Sequence, residues 1–216
     1  MSRLALLIVS LLFFFSAIVA SGAATTVTIG EYFSETDVTA PIMINDVEEL
    51  AAATIKVSYD PAAVVVTAID NGVSGSFIQN SQYAHDGWVK MAWYLVDGSL
   101  NGDVTFALLA ISPSGSYGDY SDLEIEVETL SDTEYQTIDA DIINGFVYRG
   151  MNGDVNADRV IDAADSQYIA NSIAGILGYP SKFGPSEVSG DGTVDAYDCV
   201  YLARHATGVP GYEHLK

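Results

Sequence analysis

A single cysteine, Cys199, in a chain of 216 residues excludes any internal disulfide, so whatever holds small parts together is not sulfur. Cys199 stands between Asp198 and Val200 in a helical pattern and reads as a small packed residue. Basic residues are nearly as scarce. Eight of them face 29 acidic residues, for a formal net charge of −21, which argues against nucleic acid and anionic membrane surfaces as partners and makes cations the natural counterparts. The same excess suits a salty environment, and composition does not separate salt tolerance from cation binding. Only three histidines occur, His85, His205 and His214, and they are scattered. No GxSxG, HExxH or P-loop sequence appears, so the expectation is not an enzyme. A pair of glycosidase carboxylates about 5–10 Å apart across a cleft is a poor fit to acidic residues that mostly alternate outward or lie in turns.

Apolar runs long enough to cross a membrane are missing after Val19. Before it, Ser2 and Arg3 give a short polar and basic start, Leu4 to Val19 are almost entirely apolar, and Ala20 to Ala24 supply small residues. Residues 1–23 therefore read as a signal peptide cleaved after Ala23 or Ala24, with an uncleaved anchor as the alternative. The expected location is secreted or cell surface.

What is present falls into two regions of different grammar. From Thr25 to Tyr148 nine short runs rich in β-branched and aromatic residues are punctuated by Gly, Asn, Asp, Ser and Pro. They are TVTI, APIMI, ATIKVSY, AVVVTAI, GSFI, WVKMAWYLV, VTFALLAI, LEIEVETL and INGFVY. In Leu123 to Thr129, Leu123, Ile125 and Val127 alternate with Glu124, Glu126 and Glu128, the signature of a strand buried on one face. Nine strands without intervening helices predict a mainly β, two-sheet sandwich of jelly-roll or immunoglobulin-like type. Strand parity places Trp93 in its core and leaves Trp88 and Tyr94 as a candidate sugar- or partner-binding face.

After Gly150 a unit is present twice. DVNADRVIDAADSQYIANSIAG (Asp154 to Gly175) aligns without a gap on EVSGDGTVDAYDCVYLARHATG (Glu187 to Gly208), 33 residues further on. Each copy is an acidic loop running into a helix. The helical pattern runs through Tyr168, Ile169, Ser172, Ile173 and Ile176 in the first copy and Tyr201, Leu202, His205 and Ala206 in the second; Gly175 and Gly208 stand where the helices stop. GYPSKFGPS (Gly178 to Ser186) reads as a turn-rich connector. A calcium loop of twelve residues delivers oxygens from positions 1, 3, 5, 7, 9 and 12. The first copy supplies Asp154, Asn156, Asp158, the Val160 carbonyl, Asp162 and Asp165; the second supplies Glu187, Ser189, Asp191, the Thr193 carbonyl, Asp195 and Asp198. Turn formation and helix capping explain one such loop poorly and two matched loops very poorly. Without a cation, the crowded carboxylates are expected to raise some of their own pKa values. The donor set favours Ca2+, two ions, over zinc, because no His or Cys enters it, and over magnesium, because it is large. Position 6, reserved for glycine where such a loop turns sharply, is Gly192 in the second copy and Arg159 in the first.

GDVNADRVIDAADSQYIA and SGDGTVDAYDCVYLA resemble the paired F-hand repeats of type I-like dockerin modules, loop and exit helix without the entering helix of an EF-hand. The resemblance implies that the residue pair before position 12 helps choose the partner: Ala163 and Ala164 in the first loop, Ala196 and Tyr197 in the second. It also implies a clasp of the module's ends, Tyr148 or Met151 against Pro210 or Tyr212. Upstream, API before NDVEELAAATIKVSYDP resembles the opening of a cohesin, the dockerin's receptor and a nine-stranded jelly roll. Carbohydrate-binding modules share that sandwich.

The expected organisation is a cohesin-like sandwich at 25–148 followed by a small all-α dockerin at 150–212. It implies an exported, non-catalytic scaffold that joins partners by calcium-dependent cohesin–dockerin binding, in polysaccharide degradation of the cellulosome kind or at a cell surface. The expected partners are cohesin- or dockerin-bearing proteins, including a second copy head to tail. The connector, residues 149–153, spans at most about 3.5 Å per residue, which reads as too short to bring the dockerin onto a sheet face of its own sandwich. Self-recognition would then act between molecules and give rings or filaments. The alternative is a carbohydrate-binding module carried on a dockerin, with polysaccharide as ligand.

Overall fold

The computed structural model describes residues 24–216; the expected signal peptide, residues 1–23, lies outside the described residues. Strands β1 (Thr26–Ile29), β2 (Glu31–Phe33), β3 (Val38–Leu50), β4 (Ala52–Ser58), β5 (Val64–Asn71) and β6 (Ser76–Asn80) are followed by β7 (Trp88–Tyr94), β8 (Leu100–Pro113), β9 (Tyr120–Ser131), β10 (Asp141–Ile143) and β11 (Gly145–Tyr148). One sheet has the order β10-β1-β3-β8-β5, the other β2-β11-β9-β4-β7-β6. The two faces that meet bury Val27, Ile42, Ile44, Ile55, Met91, Trp93, Phe106, Leu109 and Leu123 in one continuous core. Trp93 is 1% exposed, as strand parity predicts, and its indole N–H donates to the Ser74 carbonyl at 3.0 Å.

Among the described residues eleven strands stand where nine are expected. Each of the nine runs forms a strand, but two extended segments pass from one sheet to the other. The first breaks at Gly30 between β1 and β2, and the second at Asn144 between β10 and β11. β1 pairs in parallel with β10 in one sheet, and β2 with β11 in the other. The close approach at the crossing leaves no room for a side chain at Gly145, where a Cβ would stand 2.0 Å from the Gly30 carbonyl oxygen. The three residues of β2, EYF, carry too little periodicity to stand out as a strand in the sequence.

The C-terminal region holds three helices, α1 (Ala163–Ile173), α2 (Phe183–Ser186) and α3 (Ala196–Ala206). The connector expected to be all turn therefore contains one helical turn, α2. The repeat is reproduced residue for residue in the small core: Val155 with Val188, Ile169 with Leu202, and Tyr201 are buried. Tyr168, Ile161, Val194, Cys199, Tyr212 and Leu215 pack around them. Ile173 and Ile176, expected on the buried face of α1, are exposed, because the core is closed by the loop residues Val155 and Val188 instead. Both long helices end as predicted. Gly175 and Gly208 have φ of 69° and 68°, and Ile176 and Val209 donate back to the carbonyls of Asn171 and Arg204, which satisfies the last turn.

The module's ends do clasp, with other residues than expected. Asn152 Nδ2 donates to the Lys216 carbonyl at 3.1 Å, and Lys216 N donates to the Val188 carbonyl. A Cβ on Gly153 would stand 2.4 Å from the Leu215 side chain. Tyr212 packs on Tyr201 at 4.9 Å between centroids, and Met151 is exposed.

The connector also reaches further than expected. β11 is buried at all four positions, although a strand with one wet face would alternate as β9 does. Val147 enters the sandwich core, while Phe146 and Tyr148 face outward and are covered by the C-terminal region. Phe146 lies between Phe33, 5.2 Å away edge-on, and Tyr120, stacked at 5.5 Å. Gly184 of α2 presses on it so closely that a Cβ would meet the ring at 2.4 Å. A short connector suffices because the covered surface is the β2–β11 margin, from which the chain itself emerges. The β9-β4-β7-β6 part of the same outer face stays open, with Lys56 paired to Glu126 at 3.1 Å and Lys90 paired to Glu128.

Leu202 is fully buried in the small core, so Leu202→Ala is expected to cost about 2–5 kcal/mol. Scanning calorimetry should show the helical region melting earlier while the sandwich transition holds; a single unchanged transition would refute this division of cores.

Candidate metal centre

The two acidic loops fold by the same rules. In the first, Asp165, fully buried, accepts from Val155 N and Asn156 N at 2.8 and 3.1 Å through Oδ1, and from Asp162 N at 3.0 Å through Oδ2. In the second, Asp198, also fully buried, accepts from Val188 N, Ser189 N and Asp195 N at 3.0, 3.1 and 2.9 Å. Positions 9 and 12 thus form a reciprocal capping box at the start of each exit helix, Asp162 with Asp165 and Asp195 with Asp198. Val155 and Val188, at position 2, are held inward by these bonds and become the floor of the small core.

The other expected ligands curl over their own backbone. Asp154, fully buried, accepts from Asp158 N at 3.1 Å and Arg159 N at 2.9 Å. Asn156 Oδ1 accepts from Asp158 N, and Asp158 Oδ1 from Val160 N, both at 2.9 Å. Glu187 accepts from Gly190 N and Asp191 N at 2.7 and 3.1 Å and from the Ser189 hydroxyl at 3.1 Å. Being one methylene longer than Asp154, it reaches the residues at positions 4 and 5 rather than 5 and 6. Asp191 accepts from Thr193 N and its hydroxyl, and these bonds hold its carboxyl below the usual range. The carbonyls of Val160 and Thr193 accept no backbone hydrogen bond among the described residues. Burial pushes the Asp165 carboxyl up, with the neighbouring Asp154 charge a lesser cause. The rise expected from crowding is therefore chiefly a rise from desolvation.

These loops fit a hard cation in chemistry. Every side-chain donor is an oxygen, each carboxylate keeps acceptor capacity beyond its N–H bonds, and the two position-7 carbonyls have no backbone donor. Among the described residues no three Asp, Glu, His or Cys side chains converge as a ready cluster: the carboxylates are tied mostly to the backbone, with Asn156–Asp158 and Ser189–Glu187 the side-chain pairs among the donors. The backbone path matches too. Positions 4 and 6 are left-handed in both copies, Ala157 at φ 65° and Arg159 at 73° in the first, Gly190 at 77° and Gly192 at 83° in the second. A side chain in that region costs roughly 1–2 kcal/mol, so the first loop carries strain at two positions where the second carries none.

Arg159 has a use that the sequence does not disclose. Its guanidinium forks onto Glu35, Nη1 to Oε1 and Nη2 to Oε2, each at 3.0 Å, and lies 3.9 Å from the centre of the Tyr117 ring. This hydrogen-bonded pairing holds the Glu35 carboxyl below its ordinary range. Tyr117, from the β8–β9 loop, donates its hydroxyl to Asp154 Oδ2 at 2.6 Å; burial, then that bond, pushes its pKa up to about 12. The Tyr148 hydroxyl donates to the Asp154 carbonyl. Lys182 Nζ donates to the Val155 carbonyl at 3.0 Å, and burial lowers its pKa. Glu31 of β2 is raised by burial and then by Glu187. Tyr117, Glu35 and Lys182 are residues that sequence reasoning missed; the one available signal was an arginine where a glycine belongs.

The remaining expected sites are surface features. Ala163, Ala164, Ala196 and Tyr197 are all exposed at the starts of their helices. Trp88 is half-buried, with one ring face covered by Tyr83 stacked at 4.4 Å and Lys56 5.9 Å from its centroid, whereas Tyr94 is exposed. The two are therefore not an equal aromatic pair. No helix among the described residues is long and apolar enough to cross a membrane.

Comparison with known proteins finds different relatives for the two parts of the chain. The dockerin type I domain family model matches residues 152–207. No curated protein matches the chain. Solved structures similar to the sandwich include a non-cellulosomal cohesin from the hyperthermophilic archaeon Archaeoglobus fulgidus, at 15% identity over 62% of this chain and 96% of that one, with a TM-score of 0.51. The seventh ScaB type I cohesin from Pseudobacteroides cellulosolvens is 19% identical over 59% and 92%, with a TM-score of 0.52. A chain of the complex between the third cohesin of ScaC and the ScaB dockerin from Acetivibrio cellulolyticus is 18% identical over 59% and 99%, with a TM-score of 0.53. These likenesses establish a cohesin-like fold for the N-terminal part.

The strain at position 4 is directly testable, since Ala157 has no polar role. Ala157→Gly is expected to stabilise the helical region by about 1 kcal/mol, and Gly192→Ala to destabilise it by a similar amount, both read from denaturant midpoints. An unchanged midpoint in both variants would show that the loops do not hold these dihedrals.

Proposed function

We propose that the chain is a non-catalytic assembly protein in which a cohesin-like sandwich, residues 25–148, is fused to a calcium-ordered dockerin, residues 150–212. The observation that carries the calcium reading is the identity of the two loops: Asp165 and Asp198 make the same three backbone bonds, and positions 4 and 6 are left-handed in both. Asp154, Asn156, Asp158, Val160, Asp162 and Asp165 would hold one Ca2+, and Glu187, Ser189, Asp191, Thr193, Asp195 and Asp198 a second. When bound, the ion neutralises the carboxylates and adds its binding free energy to the folding of the loops. The chain's own residues supply the rest. The capping boxes aim the exit helices, the Val155–Val188 floor locks them together, and the exposed pairs Ala163–Ala164 and Ala196–Tyr197 are presented to a partner. The family setting makes that partner a cohesin-bearing protein for the helical module and a dockerin-bearing protein for the sandwich. A second copy of the chain offers both. The leader sequence supports export, to the medium or the cell surface, with polysaccharide breakdown or a surface lattice as the setting.

A second reading, glycan binding by the sandwich, is favoured by one feature. Exposed Tyr94 borders an open cavity of about 460 Å³ that also takes in the exposed Tyr135 with Asp97 and Asp132. Affinity electrophoresis decides it: retardation on a soluble glycan, lost in Tyr94→Ala, supports this reading, and unretarded migration on all glycans removes it.

The main reading is tested by titrating calcium chloride into the chelator-stripped full chain. Calorimetry is expected to count two ions and circular dichroism to gain helix; absence of binding heat would end the calcium reading. Light scattering then separates the partners. Growth of mass with calcium, reversed by EDTA, indicates self-association, and a monomer at high concentration leaves foreign partners as the receptors.

A further inference from the structure

The side-chain hydrogen bonds from the sandwich to the helical loops converge on one loop. Tyr117 donates to Asp154 Oδ2 at 2.6 Å, so a sandwich residue fixes the carboxylate at position 1 of the first loop. Tyr148, also of the sandwich, holds the position 1 carbonyl, while Lys182, of the helical module itself, holds that of position 2. Arg159, at position 6, is clamped between the Tyr117 ring and the Glu35 carboxylate. Among the described residues the second loop has no such support from the sandwich: the donors to Glu187 all come from Ser189, Gly190 and Asp191 within the loop, its position-2 carbonyl is held by Lys216 N of the same module, and Gly192 has no side chain to reach outward. The adjoining connector is fastened as well, with Gly118 N donating to the Arg149 carbonyl at 2.8 Å and Arg149 N to the Asp119 carbonyl at 2.9 Å.

Resting on the calcium reading of the preceding subsection, we propose that the sandwich is a working part of the first calcium site, with Tyr117 and Glu35 as positioning residues that couple ion binding in that loop to rigid docking of the two modules. The physical basis is linkage. The Tyr117–Asp154 and Glu35–Arg159 contacts exist only when the first loop holds its ordered shape and the modules are docked. A cation that selects the ordered loop therefore favours docking, and docking raises the fraction of loops competent to bind, by the same factor. Arg159 in a left-handed conformation is the cost of this arrangement: a glycine there would relax the turn and release the clamp.

The test uses the full chain in an Asp191→Ala background, which removes an oxygen ligand of the second loop at an exposed position and leaves the small core intact. Calcium chloride titrations by calorimetry compare this parent with Tyr117→Phe and Glu35→Gln, neither of which removes a proposed ligand. Each is expected to weaken the first site about five- to ten-fold. Small-angle scattering is expected to show one compact particle with calcium in the parent, and an extended, variable particle in the same parent with EDTA or in either variant at sub-saturating calcium. Unaltered affinity in both variants overturns the coupling, as does a particle shape indifferent to calcium. A parent and wild type that bind no calcium at all overturn the underlying reading instead, so the two failures are distinguishable.

Discussion

The buried carboxylate of Asp154 is the constraint around which the two halves of this protein are arranged. It is fully buried and forms no salt bridge among the described residues, whose ion pairs all lie elsewhere. Taking an ionised carboxylate out of water costs several kcal/mol unless its oxygens are satisfied. Three donors do this, and they come from both sides of the seam: Tyr117 from the sandwich, and the amides of Asp158 and Arg159 from the loop. The path of the chain follows. β11 must end with Tyr148 pointing outward so that its hydroxyl can take the Asp154 carbonyl, and the Gly115–Asp119 turn must lie beside the connector to bring Tyr117 in. Phe146, Gly184 and Lys182 then fill the space that those requirements leave.

That dependence explains why the two repeats have diverged in opposite directions. The second loop answers only to its own backbone, so it keeps glycine at positions 4 and 6 and tolerates a longer, less fitted Glu187 at position 1. The first loop must also present side chains to the sandwich. Its position 1 is the short Asp154, reachable by Tyr117, and its position 6 is Arg159, whose fork onto Glu35 a glycine cannot make. Backbone strain of roughly 1–2 kcal/mol at such a position is sustained by contacts that lie outside the loop.

The local features were legible in the sequence because their causes are local. Alternation in Leu123–Thr129, the parity that buries Trp93, the 33-residue repeat and the helix-stopping glycines each follow from the periodicity of one element. What was hidden depends on pairs far apart in the chain. Glu35 and Arg159 are separated by 124 residues, and nothing within either segment marks the other. The same reason covers the split strands: Gly30 and Asn144 are breaks only because the two segments cross between sheets side by side. It also covers Ile173 and Ile176, whose apolar spacing suggested burial, while the core was closed by Val155 and Val188, loop residues held inward by the carboxylates of Asp165 and Asp198.

Docking at the β2–β11 margin changes what an assembly of such chains would look like. The covered surface is one edge of the six-stranded sheet, while Tyr94 and the β9-β4-β7-β6 face lie outside it, and Ala163, Ala164, Ala196 and Tyr197 remain exposed at the helix starts. The contact inside the molecule and the contacts proposed between molecules therefore do not compete for the same residues. On the proposed function, a chain with one surface of each kind would associate head to tail, and whether such an array closed into a ring or continued as a filament would depend on the rotation between successive copies. With a loose connector that rotation would vary from copy to copy. With Arg159 clamped on Glu35 and Tyr117 on Asp154, the angle between the two surfaces is held within the chain, and the geometry of the proposed assembly would be set before any partner arrived.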